Sequence, residues 1–179
     1  MGPEEISSIA ERLVSVGETI ERRTRFSRDE IASFSRATFD ENPLHLDAGS
    51  ARRSGFADTI ASGQQTGAMM MGLLATHYSR SDDGGAREML CLNMNLAFKE
   101  PVLAGQDVVL RWKVATIEWK EKLQGLLVQL DGSATVGSDA EPLTALIARG
   151  TILVKSVPVE VSPTAAVGGD EEEVAELPS

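Results

Sequence analysis

Ser62-Gly63-Gln64-Gln65-Thr66-Gly67-Ala68-Met69-Met70-Met71-Gly72-Leu73-Leu74-Ala75-Thr76-His77-Tyr78 contains a run, Gly67 to Ala75, with no charged or hydrogen-bonding side chain. A surface helix keeps one polar face, so a helix built on this run belongs inside the molecule, surrounded by other elements. Ser62 supplies the oxygen that a helix start needs, which sets the helix at Gly63 to Tyr78. The covering elements lie downstream, after a polar, glycine-containing segment from Ser79 to Arg87. There the pattern changes to runs rich in Val, Leu, Ile and Thr: Leu90 to Phe98, Asp107 to Glu118, Leu123 to Ala134 and Leu143 to Val154. Turn-prone segments such as Pro101 to Gly105 and Asp131 to Gly137 punctuate them. Long strands joined in series suggest an antiparallel sheet. One apolar helix is long enough to fill its concave face, which predicts an α+β fold.

Upstream, Gly17 to Arg25 alternates polar and branched residues and reads as an extended arm. Ser27-Arg28-Asp29-Glu30 has the form of a capping box, with Phe26 and Ile31 as a hydrophobic staple. The helix it starts turns Ile31, Phe34 and Ala37 inward and stops near Phe39, because Pro43 disfavours helical geometry at Asn42. Asp47 is placed to cap a further turn of helix through Arg53, which Gly55 breaks.

The 179 residues fit one domain, taken as residues 1–155, followed by an acidic tail at 156–179 too poor in apolar residues to order itself. Six of the ten net negative charges lie in that tail, leaving −4 on the remainder. An acidic body without a basic run is a poor match for phosphate backbones, so nucleic acid is not an expected partner. No apolar stretch approaches membrane-spanning length and the N-terminal residues lack a signal peptide's pattern, so the expected location is cytoplasmic. The single cysteine, Cys91, has no internal disulfide partner and reads as a small buried hydrophobe.

The chemistry-bearing stretch is Asp40-Glu41-Asn42-Pro43-Leu44-His45-Leu46-Asp47. It sets a carboxylate and an imidazole five positions apart across a proline turn, a pair able to hold one water between them. The only other histidine, His77, falls at the C-terminal end of the long helix, where a positive charge is favourable, and reads as structural. Two readings stand for Asp40: an Asx-turn closing the preceding helix, or half of an acid-base pair. Ser62 reads as a helix cap, and Gly63 as either a packing glycine or a close-approach point for a ligand. Asp40, His45 and Asp47 have no second histidine or cysteine nearby in sequence, so a metal is not expected.

Taken together, Asp40-x-Asn42-Pro43-x-His45, then Ile60-Ala61-Ser62-Gly63, then Leu96-Ala97-Phe98-Lys99-x-Pro101-Val102-x-Ala104-Gly105 resemble the MaoC-like dehydratases, the group that includes (R)-specific enoyl-CoA hydratases. The likeness runs from about Phe26 to Lys155. It implies a hotdog fold, in which an antiparallel sheet wraps one long central helix, and a homodimer. It also implies reversible addition of water to a trans-2-enoyl thioester, carried on CoA or acyl-carrier protein, to give the (R)-3-hydroxyacyl thioester. By the same resemblance Asp40 and His45 are the acid-base residues, Asn42 is the polar residue between them, and the Gly63 amide polarises the thioester carbonyl. Two departures accompany the match: Ser62 stands where the family commonly has histidine, and Met71 where some hydratases have serine. They keep open a non-catalytic acyl-binding or partner subunit. A hotdog thioesterase is the remaining alternative, and the Asp40 to His45 block speaks against it.

Overall fold

The computed structural model describes residues 13–80, 87–138 and 140–157. In chain order the elements are β1 (Thr19–Arg25), α1 (Arg28–Ala37), α2 (Pro43–Leu46), α3 (Ala48–Arg53), α4 (Gly63–Tyr78), β2 (Arg87–Phe98), β3 (Asp107–Lys120), β4 (Gly125–Gly137) and β5 (Pro142–Ser156). The five strands form one sheet in the order β1-β3-β4-β5-β2, and every neighbouring pair is antiparallel. Helix α4 touches all five strands. Five strands about 4.8 Å apart span roughly 19 Å, whereas a helix with its side chains is only about 10 Å across. One helix reaches both edges because the sheet curls round it, so the hotdog expectation holds.

The inner face of the sheet is the core. Val108, Leu110, Trp112 and Val114 of β3, Leu126, Val128 and Leu130 of β4, and Leu146, Ala148, Ile152 and Val154 of β5 are buried beneath Met70, Leu74 and Tyr78 of α4. Trp112 is fully buried, and its Nε1 donates to the Met70 carbonyl at 2.9 Å. Glycines make room for that indole. A Cβ at Gly132 would lie 2.5 Å from the Trp112 ring, and one at Gly150 would lie 3.3 Å from it. The strand residue directly opposite Trp112 is Gly132, so the largest side chain in the core faces the smallest.

The helix starts agree with the capping signals. At α1 the Ser27 side chain accepts from the Glu30 N–H at 3.2 Å, and the Ser27 N–H donates to the Glu30 carboxylate at 2.8 Å. These bonds to Ser27 hold the Glu30 carboxyl below its usual titration range. Asp47 caps α3 through Gly49 and Ser50, and Gly55 follows at φ 90°.

Several boundaries and environments differ from the sequence reading. Helix α1 ends at Ala37 rather than near Phe39, and α2 is an extra turn of helix. Leu123 lies in a short 3-10 turn rather than in β4, and Asp131 to Gly137, expected as a turn, continues β4 because Asp131 to Val136 pair with β3 and Gly137 pairs with Pro142 of β5. Cys91 is exposed, not buried: it lies on the edge strand β2, where the register shifts between Cys91 and Asn93. Among the described residues, helix α4 is covered on one side only. Gln64, Ala68, Met69, Gly72 and Thr76 form an exposed strip along it, because composition shows that a helix is apolar all round but not that one chain covers it all round. Strand β5 runs to Ser156, and residues 158–179 of the expected tail, with residues 81–86 of the expected loop, lie outside the described residues.

Candidate active site

Asp40 is positioned by the way α1 stops. The Asp40 N–H donates to the Ser35 carbonyl at 2.9 Å and the Phe39 N–H to the Arg36 carbonyl at 3.2 Å, the paired bonds of a Schellman ending. That ending needs a left-handed residue, and Phe39 supplies it at φ 58°, its side chain in solvent. Ser35 is fully buried and its hydroxyl donates to the Asp40 carbonyl at 2.7 Å. Both backbone polar groups of Asp40 therefore rest on Ser35. Its side chain does two jobs. Oδ1 accepts from the Asn42 N–H at 3.2 Å, the Asx-turn, and Oδ2 lies 3.4 Å from His45 Nε2.

His45 sits on α2, which exists because Asn42 Oδ1 accepts from the Leu44 N–H at 3.1 Å and Pro43 occupies the first helical position. The imidazole is buried, and Nδ1 is 2.7 Å from the Ile60 carbonyl oxygen. A carbonyl only accepts, so Nδ1 carries the hydrogen, and in the neutral ring the Nε2 lone pair points toward Asp40. An unprotonated Nε2 and an ionised Oδ2 repel each other at that separation. The pair is therefore suited to share one proton, or to hold between them a water that donates to both.

Ile60 ties this pair to the start of α4. Its N–H donates to the Leu44 carbonyl at 3.1 Å while its carbonyl receives His45. Flanking bonds from Ala61 N–H to the Val102 carbonyl at 2.8 Å and from Ala104 N–H to the Thr59 carbonyl at 2.9 Å strap the segment down. Three residues later, Gly63 opens the helix. Ser62 caps it, accepting from the Gln65 N–H at 3.2 Å. The Gly63 and Gln64 N–H groups have no partner among the described residues. Two donors at the positive end of a long helix favour a developing negative charge. A Cβ at Gly63 would lie 2.5 Å from the Phe98 ring, so glycine is required for that ring to lie where it does.

These groups meet on the wall of one cavity of about 390 Å³. Asp40, His45, Ser62 and Gly63 line it together with the apolar Ile60, Ala61, Val102 and Leu146, and Lys99 and Glu100 also contribute to it. Ala145 contributes through a bulge: pairing jumps from Ala134–Leu146 to Thr135–Thr144, and the freed Ala145 carbonyl receives the Lys99 and Glu100 N–H groups at 2.9 and 3.3 Å. Of the residues singled out from the sequence, Asn42 supports α2 without lining the cavity, and Met71 does not line it at all. His77 bonds Glu18 at 2.6 Å, far along the helix from Gly63. Ser35 carried no sequence signal. Among the described residues no group of three or more His, Cys, Asp or Glu is placed to hold a metal.

A five-stranded antiparallel sheet curled round one helix defines a hotdog protein, and here a carboxylate-imidazole pair shares one cavity with the start of that helix. The chain belongs to the MaoC like domain family, whose profile matches residues 12–130. That places it among hydratases and dehydratases. It is 26% identical over 139 residues, 75% of this chain and 79% of the other, to the mitochondrial 3-hydroxyacyl-[acyl-carrier-protein] dehydratase FERN of Solanum lycopersicum. It is 26% identical over 117 residues, 65% of this chain and 83% of the other, to the (R)-specific enoyl-CoA hydratase of Aeromonas caviae. The solved (R)-hydratase from A. caviae superposes with a TM-score of 0.66 at 24% identity, covering 80% of this chain and 98% of that one.

Proposed function

We propose that this protein adds water reversibly across the double bond of a trans-2-enoyl thioester, giving the (R)-3-hydroxyacyl thioester. The observation that carries the reading is the 3.4 Å approach of Asp40 Oδ2 to His45 Nε2 on the same cavity wall as the unpartnered Gly63 amide. Hydration needs a base to activate water, an acid to protonate the alpha carbon, and donors for the enolate oxygen. Asp40 and His45 hold the water and exchange its proton. The thioester carbonyl points at the Gly63 N–H, with the Gln64 N–H beside it. Water adds to the beta carbon as its O–H bond breaks toward the pair, the electrons of the double bond move onto the thioester oxygen, and the pair returns a proton to the alpha carbon. No metal or redox cofactor takes part in this scheme.

The carrier is CoA or acyl-carrier protein, as in the names of the relatives. A homodimer is proposed on two exposed features: among the described residues β2 leaves one edge unpaired and carries exposed Leu90 and Leu92, and α4 presents the strip of Ala68, Met69 and Gly72. A second copy that covered them would protect the edge from aggregation. We take residues 1–155 as the single domain and the cytoplasm as the location; no helix among the described residues is long and apolar enough to cross a membrane.

Incubation with a short trans-2-enoyl-CoA and with the acyl-carrier-protein equivalent tests the reading. Loss of the conjugated enone absorbance without release of thiol is the expected result. Thiol release would mean a thioesterase, and no change with either carrier at any chain length would mean a non-catalytic subunit.

A further inference from the structure

Two hydroxyl-bearing residues at the start of α4, Ser62 and Thr66, line the cavity that holds Asp40 and His45, and both are buried. Their hydroxyls are differently committed. The Ser62 oxygen accepts from the Gln65 N–H as the helix cap. A helical threonine can donate to the carbonyl four residues back, as Thr38 does to Phe34 at 2.9 Å. At Thr66 that carbonyl belongs to Ser62, and it receives only backbone N–H groups, from Gln65 at 3.1 Å and from Thr66 at 3.4 Å. The Thr66 hydroxyl makes no hydrogen bond among the described residues. Nor is it sealed away as the partnerless Thr59 hydroxyl is. Thr66 is 3% exposed, and the space it borders is the cavity.

A buried hydroxyl without a partner is costly, so the contents of the cavity must bond it. An enoyl chain offers nothing, since its carbons past the carbonyl carry no oxygen or nitrogen, and the carbonyl oxygen has its donors in the Gly63 and Gln64 N–H groups. The reacting water remains. When it donates one hydrogen to Asp40 and the other to His45 Nε2, its oxygen keeps two lone pairs; one attacks the beta carbon and the other lacks a donor. At about 390 Å³ the cavity has room for roughly a dozen waters, so only a few water diameters separate the α4 wall from the Asp40–His45 wall. Resting on the hydratase reading above, we propose that Thr66 is the third holder of the reacting oxygen. Its O–H donates to the water in hydration and to the 3-hydroxyl oxygen in dehydration, and Thr66 keeps its proton throughout. In hydration the new C–O bond forms at the beta carbon while an O–H bond of the water breaks toward Asp40 and His45. In dehydration that C–O bond breaks, the pair protonates the departing oxygen, and the Thr66 O–H offsets the negative charge gathering on it.

The full chain and its Thr66→Val and Thr66→Ser variants are assayed in both directions, with the enoyl and (R)-3-hydroxyacyl thioesters of the chain length and carrier turned over fastest. The saturated acyl thioester of that length serves as an unreactive inhibitor. Expected for Thr66→Val is a fall in kcat/KM of about two- to ten-fold, equal in the two directions. In hydration the fall is in kcat, because the enoyl group does not touch the hydroxyl; in dehydration it is a raised KM, because the 3-hydroxyl does. Inhibition by the saturated thioester stays unmoved, and Thr66→Ser, which keeps the donor, lies nearer to the unsubstituted protein than Thr66→Val does. Weaker inhibition by the saturated thioester in Thr66→Val would put the hydroxyl on the thioester group and overturn the proposal, leaving the hydratase reading intact. Unchanged kinetics in a folded Thr66→Val overturns it in the same way. If Thr66→Val does not fold, Thr66→Ala carries the same test. Inactivity of the unsubstituted protein toward every chain length on both carriers removes the hydratase reading and this proposal together.

Discussion

His45 Nδ1 lies 2.7 Å from the carbonyl oxygen of Ile60, only three residues before Gly63. One peptide segment thus orients the imidazole and, a short step later, begins the helix whose amides face the same cavity. The separation of the imidazole from the Gly63 amide is set by three residues of strapped backbone. Asp40 is fixed independently, through Ser35, and the two lines of support converge at the 3.4 Å contact between Asp40 Oδ2 and His45 Nε2.

Asp40→Asn and His45→Gln each remove one member of the pair while keeping its shape. General acid-base catalysis contributes about 10²–10⁴-fold, and a fall in kcat of that order is expected in each variant, with circular dichroism and melting temperature little changed. The double variant should lose no more than about the worse single one, since the two groups act on one water. Near-normal turnover in either single variant would remove that residue from the mechanism.

Ser35→Ala separates positioning from chemistry. The hydroxyl does not line the cavity that holds Asp40 and His45, yet its bond to the Asp40 carbonyl is partly buried. Its loss should cost about 1 kcal/mol of stability and lower kcat without moving KM, because Asp40 shifts while the substrate walls do not. Ser35→Cys keeps the volume and a weaker donor, and should fall between the two.

Gly63→Ala drives a methyl group into the Phe98 ring, 2.5 Å away. Either the ring or the helix start must move, and a misaligned oxyanion donor is typically worth about 3 kcal/mol. Expected is a fall in kcat/KM of about a hundred-fold or more, recovered in part when Phe98→Leu is added. A double variant no better than Gly63→Ala would show that the loss comes from the helix start itself.

How much of this is legible in the sequence follows from where each residue gets its instructions. The α4 boundaries follow from Ser62 and from an apolar run whose length is plain in the chain, and the four long strands follow from their composition. Helix α2 is not legible, since four residues are too few to show periodicity and its existence depends on Asn42 accepting from Leu44. Cys91 reads as buried because its neighbours are apolar, and only the sheet order reveals that β2 is an edge. The same edge explains why α4 is open on one side. Asp40 and His45 are legible as a pair, but Ser35 and the Ile60 carbonyl are not, because a buried serine and a backbone oxygen carry no pattern.

Acid should loosen the segment that carries the pair before it unfolds the sheet. Around it, Asp58 is held below the usual carboxylate range mainly by its bond to the Arg28 guanidinium, and Asp47 by its bonds to Ser50 and Gly49. Carboxyls that titrate lower in the folded chain than in the unfolded one stabilise it above the unfolded value, near pH 4, and that contribution is lost as pH falls through the folded value. The Arg28–Asp58 contact joins α1 to the stretch leading into Ile60, so its protonation frees one side of the site. Asp58→Asn should therefore lower the melting temperature at pH 7 and flatten its decline between about pH 5 and pH 2. A variant whose melting temperature falls with acid as steeply as the unsubstituted protein's would show that other carboxylates govern the acid limit.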